Sequence, residues 1–168
     1  MIMKNLILVF CAILMATLMV SCNQIYSGYD RQEVAEMIAD HDTTILYFMT
    51  SWCQASQNDF ENNLKPYLGK TSDNKAIVLV GLGEIEQISS LENRDQNLMI
   101  CNPSSRNPLL DKMFINKECE ELLSHYKRVN YTPVKLVCNR KGEILNWDTD
   151  EESGRTYGSI YPYLIGRK

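Results

Sequence analysis

The sequence predicts an α/β domain in which helices cover a central β-sheet. The apolar run 45–49 precedes a polar segment whose apolar residues recur at helical spacing, which indicates a buried strand that leads into a helix. The run 76–80 is rich in branched apolar residues and is typical of a central parallel strand. Two further strand-like runs, 134–138 and 143–147, flank a turn that contains Gly142, and they predict an antiparallel hairpin. Parallel strands and a hairpin in one sheet make that sheet mixed.

Residues 1–21 have the features of an export signal. Lys4 precedes the apolar run 6–20, and the small residue Ser21 lies directly before Cys22. The apolar run is too short to span a bilayer comfortably. A cysteine at this point is similar to the lipobox of bacterial lipoproteins, in which the cysteine is acylated and becomes the first residue of the mature chain. Cys22 is therefore the predicted lipidation site, with an ordinary secretory peptide or an uncleaved anchor helix as the alternatives.

The predicted organisation is a signal peptide at 1–21, a polar tether at 22–29 and one domain at 30–168. A chain of 168 residues with 45% apolar residues has the size and composition of one packed domain. The whole chain carries 17 basic and 21 acidic side chains, and the signal contains one lysine and no acid. The mature chain therefore keeps 16 basic against 21 acidic side chains, a formal charge of −5. This acidic balance argues against nucleic acid as a partner.

Four of the six cysteines would remain in the mature domain: Cys53, Cys101, Cys119 and Cys138. An exported domain enters an oxidising compartment, in which disulfides can form. The irregular spacing of these cysteines, however, indicates neither a disulfide framework nor a zinc site. We therefore expect no metal and no cofactor, and we interpret Cys138 as a buried structural cysteine.

Helices are predicted around these strands. Asp30 can cap a helix that should end near His41. We interpret His41 and His125 as structural histidines, because nothing in the sequence places either one beside a reactive group. The stretch between the central strand and the hairpin carries few motifs. Its spacing favours a short helix around 85–91, a short strand at 98–100 and a helix at 109–126, and a last helix is expected at 155–164.

Cys53 lies between the end of the first predicted strand and the start of the helix that follows. Trp52-Cys53-Gln54-Ala55-Ser56 follows the apolar run and opens the helical segment. At a helix N-terminus, free N–H groups and the helix dipole favour a thiolate, and such placement can lower a cysteine pKa from about 8.5 into roughly the 3.5 to 7.5 range. Cys53 is therefore the candidate nucleophile.

A strand, then Trp52-Cys53-x-x-Ser56, then a helix resembles the active-site segment of the thioredoxin superfamily, with serine in place of the second cysteine. The segment 129–144 is similar to the second hallmark of that family, because Pro133 opens a strand and a Gly turn follows it. The resemblance implies a thioredoxin-like three-layer sandwich, in which a central mixed β-sheet is flanked by helices, with an insertion before the cis-Pro strand.

The resemblance also implies roles for particular residues. The bond before Pro133 would be cis, and Thr132 and Pro133 would lie beside Cys53. In this family the loop offers backbone groups to an extended substrate peptide, a form of strand addition. Trp52, Thr132 and Pro133 are therefore the expected substrate-binding residues.

Two positions depart from the family pattern. Ser56 replaces the cysteine that would release the substrate, and Tyr47 stands where the family usually has a buried acid. A serine hydroxyl can still donate a hydrogen bond to the Cys53 sulfur, so attack on a disulfide is retained while release is lost. Cys53 and Ser56 are the expected catalytic residues of a single-thiol protein.

The leading hypothesis is an exported, lipid-anchored protein of the bacterial cell envelope that acts in thiol–disulfide exchange through one cysteine, with its domain in the periplasm or outside. Its substrates would be disulfide-containing envelope proteins, through isomerisation or reduction, or small thiols. The alternative is a redox-inactive binding module with the same fold on the membrane surface. Copper delivery would need a second soft ligand near Cys53, which the sequence lacks. The stretch Gly81-Leu82-Gly83 lacks the third glycine and the acid of a dinucleotide fingerprint.

Overall fold

A computed structural model describes residues 28–89, 91, 97–103, 107–124, 126, 132–149 and 160. The predicted signal peptide, Cys22, most of the tether, His125 and the predicted helix at 155–164 lie outside these residues. Within the described part of the chain, no helix is long and apolar enough to cross a bilayer.

Five strands form one mixed sheet in the order β3-β2-β1-β4-β5. The strands β1, β2 and β3 are parallel, and β4 and β5 form the predicted antiparallel hairpin at one edge. The central position of β1 places the end of the strand that precedes Cys53 in the middle of the sheet. The strand bounds are Thr43–Thr50 for β1, Lys75–Leu82 for β2, Leu98–Cys101 for β3, Val134–Cys138 for β4 and Ile144–Thr149 for β5.

Within the described ranges, four α-helices accompany the sheet: α1 (Arg31–Asp40), α2 (Gln54–Asp59), α3 (Glu86–Ser89) and α4 (Pro108–Leu122). The helix α2 continues as a π-helical turn and a short 3₁₀ turn to residue 67. Asp30 caps α1 as predicted, because its carboxylate accepts a hydrogen bond from the N–H of Gln32. His41 also has the predicted structural place, since its Nδ1 lies 2.8 Å from the last-turn carbonyl of Met37.

The helix α4 ends four residues earlier than its predicted end at residue 126. Leu123 has an extended backbone, and Ser124 then forms a bridge to Glu143 at the start of the hairpin's second strand. The chain leaves the helix because this bridge requires an extended backbone. At its other end α4 is capped by Asn107, whose side chain accepts hydrogen bonds from the N–H groups of Leu109 and Leu110.

Apolar side chains pack on both faces of the sheet, so the domain has three layers. The helices α1 and α4 contribute to the cluster on one face, and the π-helical turn after α2 and the helix α3 contribute to the cluster on the other. Burial of about 25 cal/mol per Å² of apolar surface drives both layers together. Arg31 also binds Glu118 through two hydrogen bonds of 2.6 Å, which joins α1 to α4. The mixed five-stranded sheet between two helical layers is the predicted thioredoxin-like fold.

Gly81 in β2 is a packing residue. A Cβ atom added there would collide with the side chain of Ile88 in α3. The glycine lets α3 approach the sheet closely, which accounts for one of the two glycines in Gly81-Leu82-Gly83 without a nucleotide.

Gly142 joins the end of α4 to the β4–β5 turn. Its φ is +73°, and its carbonyl accepts a hydrogen bond of 3.0 Å from the N–H of Ser124. A Cβ atom at this position would lie 2.6 Å from the carbonyl oxygen of Leu122. Both the backbone conformation and the close approach therefore require glycine.

We predict that Gly142→Ala lowers the free energy of unfolding by about 3 kcal/mol, because it combines a left-handed backbone with a backbone clash. Gly69→Ala is the matched control, since Gly69 has a φ of +75° and nothing within 4 Å of its added Cβ. The control should lose only about 1 kcal/mol. Urea unfolding of the three proteins measures the difference, and equal losses would contradict the close approach to Leu122.

Candidate active site

Cys53 lies at the N-cap of α2, directly beyond the end of β1. Its backbone is extended, and its N–H donates to the carbonyl of Thr50 at 3.3 Å. The side chain of Gln57, one turn into α2, donates a hydrogen bond of 2.7 Å to the carbonyl of Ser51. These two contacts fix the turn between strand and helix and direct Cys53 to the helix N-terminus.

The loop before β4 contacts this cysteine. The peptide bond between Thr132 and Pro133 is cis, and the Cys53 Sγ donates to the carbonyl oxygen of Thr132 at 3.3 Å. The hydroxyl oxygens of Thr132 and Thr50 lie 3.1 Å apart, so the loop is also tied to the end of β1. The two segments that carry the family resemblance therefore meet at the sulfur, although 79 residues separate Cys53 from Thr132.

The surroundings of Cys53 lower its pKa. Partial burial alone raises the pKa, but hydrogen bonds from the side chains of Thr132 and Ser56 and from the backbone of Ser56 and Ala55 outweigh it. The Ser56 hydroxyl is fully buried and makes no hydrogen bond of ordinary geometry to another described residue. It can stabilise the thiolate, because a sulfur that has lost its proton accepts a bond from this hydroxyl.

Trp52 is held against α4. Its indole Nε1 donates a hydrogen bond of 3.0 Å to Asp111, whose carboxylate is almost fully buried, while 41% of Trp52 remains exposed. Leu109 and Met113, within two residues of Asp111, are also exposed. The sequence did not indicate Asp111 as a site residue. An acidic residue in the first turn of a helix is commonly explained by its favourable interaction with the helix dipole.

The remaining cysteines of the described chain are not reactive thiols. Cys101, Cys119 and Cys138 are free and buried. Burial raises the pKa of Cys101 and of Cys138 to about 12 and raises that of Cys119 as well. Cys138 is thus a buried structural cysteine, as predicted. Among the described residues, no group of three or more His, Cys, Asp or Glu side chains could hold a metal ion.

A polar cluster lies beneath the cysteine, on the α2 side of the sheet. The Tyr47 hydroxyl donates a hydrogen bond of 2.6 Å to Asp59, and Lys135 Nζ lies 3.2 Å from the other carboxylate oxygen. Tyr47 stands where the family usually has a buried acid. The carboxylate of this cluster comes instead from Asp59 in α2, six residues after Cys53, a position that the sequence pattern does not single out.

The fold is thioredoxin-like, and among the described residues Cys53 is the one cysteine that is not buried. No protein-family profile and no curated protein matches the chain. Among solved structures it is similar to StoA from Bacillus subtilis, with 21% identity, coverage of 66% of this chain and 75% of the other, and a TM-score of 0.38. It is also similar to the exposed lipoprotein thioredoxin Etrx1 from Streptococcus pneumoniae, with 11% identity, 68% and 78% coverage and a TM-score of 0.41.

A third similar structure is the thioredoxin domain of a thiol-disulfide oxidoreductase from Bacteroides vulgatus, with 12% identity, 77% and 82% coverage and a TM-score of 0.41. Likenesses with TM-scores this low support no argument about this chain. The functional argument for this chain therefore rests on its own residues around Cys53.

We predict that Ser56→Ala raises the pKa of Cys53, because removal of a donor to the thiolate disfavours the charged form. The rate of iodoacetamide alkylation against pH measures this midpoint in the native protein. Cys53→Ser is the control and should abolish native alkylation, since the other described thiols are buried. An unchanged midpoint in Ser56→Ala would show that the hydroxyl does not stabilise the thiolate.

Proposed function

We propose that the protein catalyses thiol–disulfide exchange through Cys53 alone. The observation that carries this proposal is the half-buried Cys53 thiol, which lies at the N-terminus of α2 against the Thr132 carbonyl with a lowered pKa. A lowered pKa increases the thiolate fraction at neutral pH, and the thiolate is the attacking species. Ser56 at the position of a second thiol leaves Cys53 without an exchange partner in its own motif.

The proposed reaction is a series of thiol–disulfide exchanges. The Cys53 thiolate attacks one sulfur of a substrate disulfide, forms a mixed disulfide and releases the other substrate sulfur as a thiolate. A second thiolate then attacks the mixed disulfide and returns Cys53 to the thiolate form. If the second thiolate is a different cysteine of the substrate, a new substrate disulfide forms, and the outcome is isomerisation with no net redox change. If the second thiolate is an outside thiol that attacks the substrate sulfur, it releases Cys53 and forms a disulfide with the substrate. A second outside thiol then attacks that disulfide, so that the substrate is reduced and the two outside thiols become a disulfide.

The surface near Cys53 favours a polypeptide over a small thiol as the first substrate. Trp52 is exposed beside the nucleophile, and it is bonded to the helix that presents Leu109 and Met113 to solvent. Apolar side chains in such a position can bind the residues that flank a substrate cysteine, whereas a small thiol has little apolar surface to bury. Thr132 and Pro133 would contact the backbone of the same peptide, by strand addition.

The proposed location is the bacterial cell envelope, with the domain held at a membrane surface through Cys22. The support is the order of a basic residue, an apolar run and Ser21-Cys22 in the sequence. Exchange on exported proteins requires this side of the membrane, because disulfides persist there and not in the cytosol.

We predict that the wild-type protein forms long-lived mixed disulfides with substrate proteins, because the motif contains no second thiol. Non-reducing gels should show these adducts, and Cys53→Ser should abolish them. Ser56→Cys should shorten their lifetime and raise insulin reduction by about tenfold at low outside thiol, since an intramolecular thiol acts at millimolar effective concentration. Adducts that survive Cys53→Ser, or a Ser56→Cys variant that changes neither quantity, would instead favour a redox-inactive binding module.

We also predict that Cys22→Ala moves the protein from the membrane fraction to the soluble fraction, because the substitution removes the residue that would carry the acyl chains, and without them the protein loses its anchor. Cys11→Ala is the matched control within the same signal and should leave the protein membrane-bound. Metabolic labelling with a fatty acid should mark the wild type and not Cys22→Ala. Membrane binding of Cys22→Ala, with no lipid on either protein, would exclude the lipoprotein hypothesis.

A further inference from the structure

A largely buried ion pair joins the helix that follows Cys53 to the strand after the cis-proline. Lys135 in β4 has 4% of its side chain exposed, and Asp59 at the end of α2 has 13%. The distance between Lys135 Nζ and Asp59 Oδ1 is 3.2 Å, and the Tyr47 hydroxyl occupies the other carboxylate oxygen at 2.6 Å. Tyr47 and Lys135 are also directly paired across β1 and β4.

Stability alone does not explain this pair. Taking two charges out of water costs several kcal/mol for each ion, and apolar residues of similar volume often stabilise a core as well or better. The apolar cluster on this face includes Met49 and Phe60, and Asn63 donates a further hydrogen bond of 2.7 Å to Asp59 Oδ1. A role in fixing the relative position of two elements explains such a pair better, since separating the two charges away from water is costly.

The pair connects the same two segments that meet at the sulfur. Cys53 and Asp59 lie six residues apart, a rise of about 9 Å along a helix. Thr132 and Lys135 lie three residues apart, across the cis bond and the first residues of β4. The contact of Cys53 with Thr132 and the contact of Asp59 with Lys135 are thus two separate cross-links between the same segments. With both formed, the helix cannot slide or tilt against the strand without breaking one of them.

We propose that the Asp59–Lys135 ion pair is a positioning device for Cys53, which holds the N-terminus of α2 at the Thr132 loop. Neither residue is a catalytic residue, because they act on the sulfur only through the placement of the helix. The importance of the ion pair for exchange rests on the proposed function. The positioning itself is a property of the folded protein and can be measured without any exchange reaction.

Three variants separate positioning from the electric field of the two charges. Asp59→Asn removes the negative charge, Lys135→Met removes the positive charge, and the double variant removes both and leaves no unpaired buried charge. Glu61→Gln is the matched control, because Glu61 forms an exposed ion pair with Lys65 in the continuation of the same helix. The readouts are the alkylation midpoint of Cys53 and, for each variant, the denaturant concentration at half unfolding.

If the pair positions the helix, all three variants raise the alkylation midpoint, because each loosens the hydrogen bonds that Thr132 and Ser56 make to the thiolate. A rise of about one pH unit corresponds to about a tenfold lower alkylation rate below the midpoint. Glu61→Gln should leave the midpoint unchanged. Tyr47→Phe, which deletes only a hydroxyl, should produce a smaller rise and serves as the test wherever a charge variant does not fold.

Two results would overturn the proposal. A lower midpoint in Asp59→Asn, a higher one in Lys135→Met and a wild-type value in the double variant would show that the charges act only through their field. Lower stability with an unchanged midpoint in every variant, Tyr47→Phe included, would show a purely structural role. Failure of the proposed function is a separate result. A wild-type protein without exchange activity would contradict that function, but the three variants could still show raised alkylation midpoints relative to it.

Discussion

The contact between the Cys53 sulfur and the Thr132 carbonyl is the constraint on which the site depends. It requires β1 and β4 to be neighbours, because the cysteine follows the first strand and the threonine precedes the fourth. The antiparallel pairing of these strands brings the end of β1 to the beginning of β4, with Phe48 opposite Val134. The order of strands in the sheet is therefore what creates the reactive environment.

The groups around Cys53, and not the carbonyl contact itself, show how a partly buried thiol can have a lowered pKa. Loss of water around the sulfur disfavours the thiolate, and an apolar pocket would make Cys53 as inert as Cys138. Hydrogen-bond donors from the loop and from the first turn of α2 replace the lost water. The difference between the two cysteines lies in the donors around them as well as in their depth.

Much of the fold could be predicted, because strands and helix caps depend mainly on residues that are close together in the sequence. The apolar runs around Ile45 and Ile77 define the two central strands, and Asp30 marks the start of α1. The roles of Asp59 and Asp111 could not be predicted in this way. Their partners Lys135 and Trp52 lie 76 and 59 residues away in sequence, so only the completed sheet brings each acid to its partner.

The three buried cysteines have a further consequence for the lifetime of the protein. Cys101, Cys119 and Cys138 lie in the apolar cluster on the face of the sheet that α1 and α4 cover, where folding withholds them from oxidants. Unfolding would release all three thiols into the reach of Cys53 within one flexible chain. In an oxidising compartment, non-native disulfides would then trap the open chain before it refolds. The survival of the protein would thus be governed by the rate of unfolding, as kinetic stability, more than by the equilibrium between folded and unfolded forms.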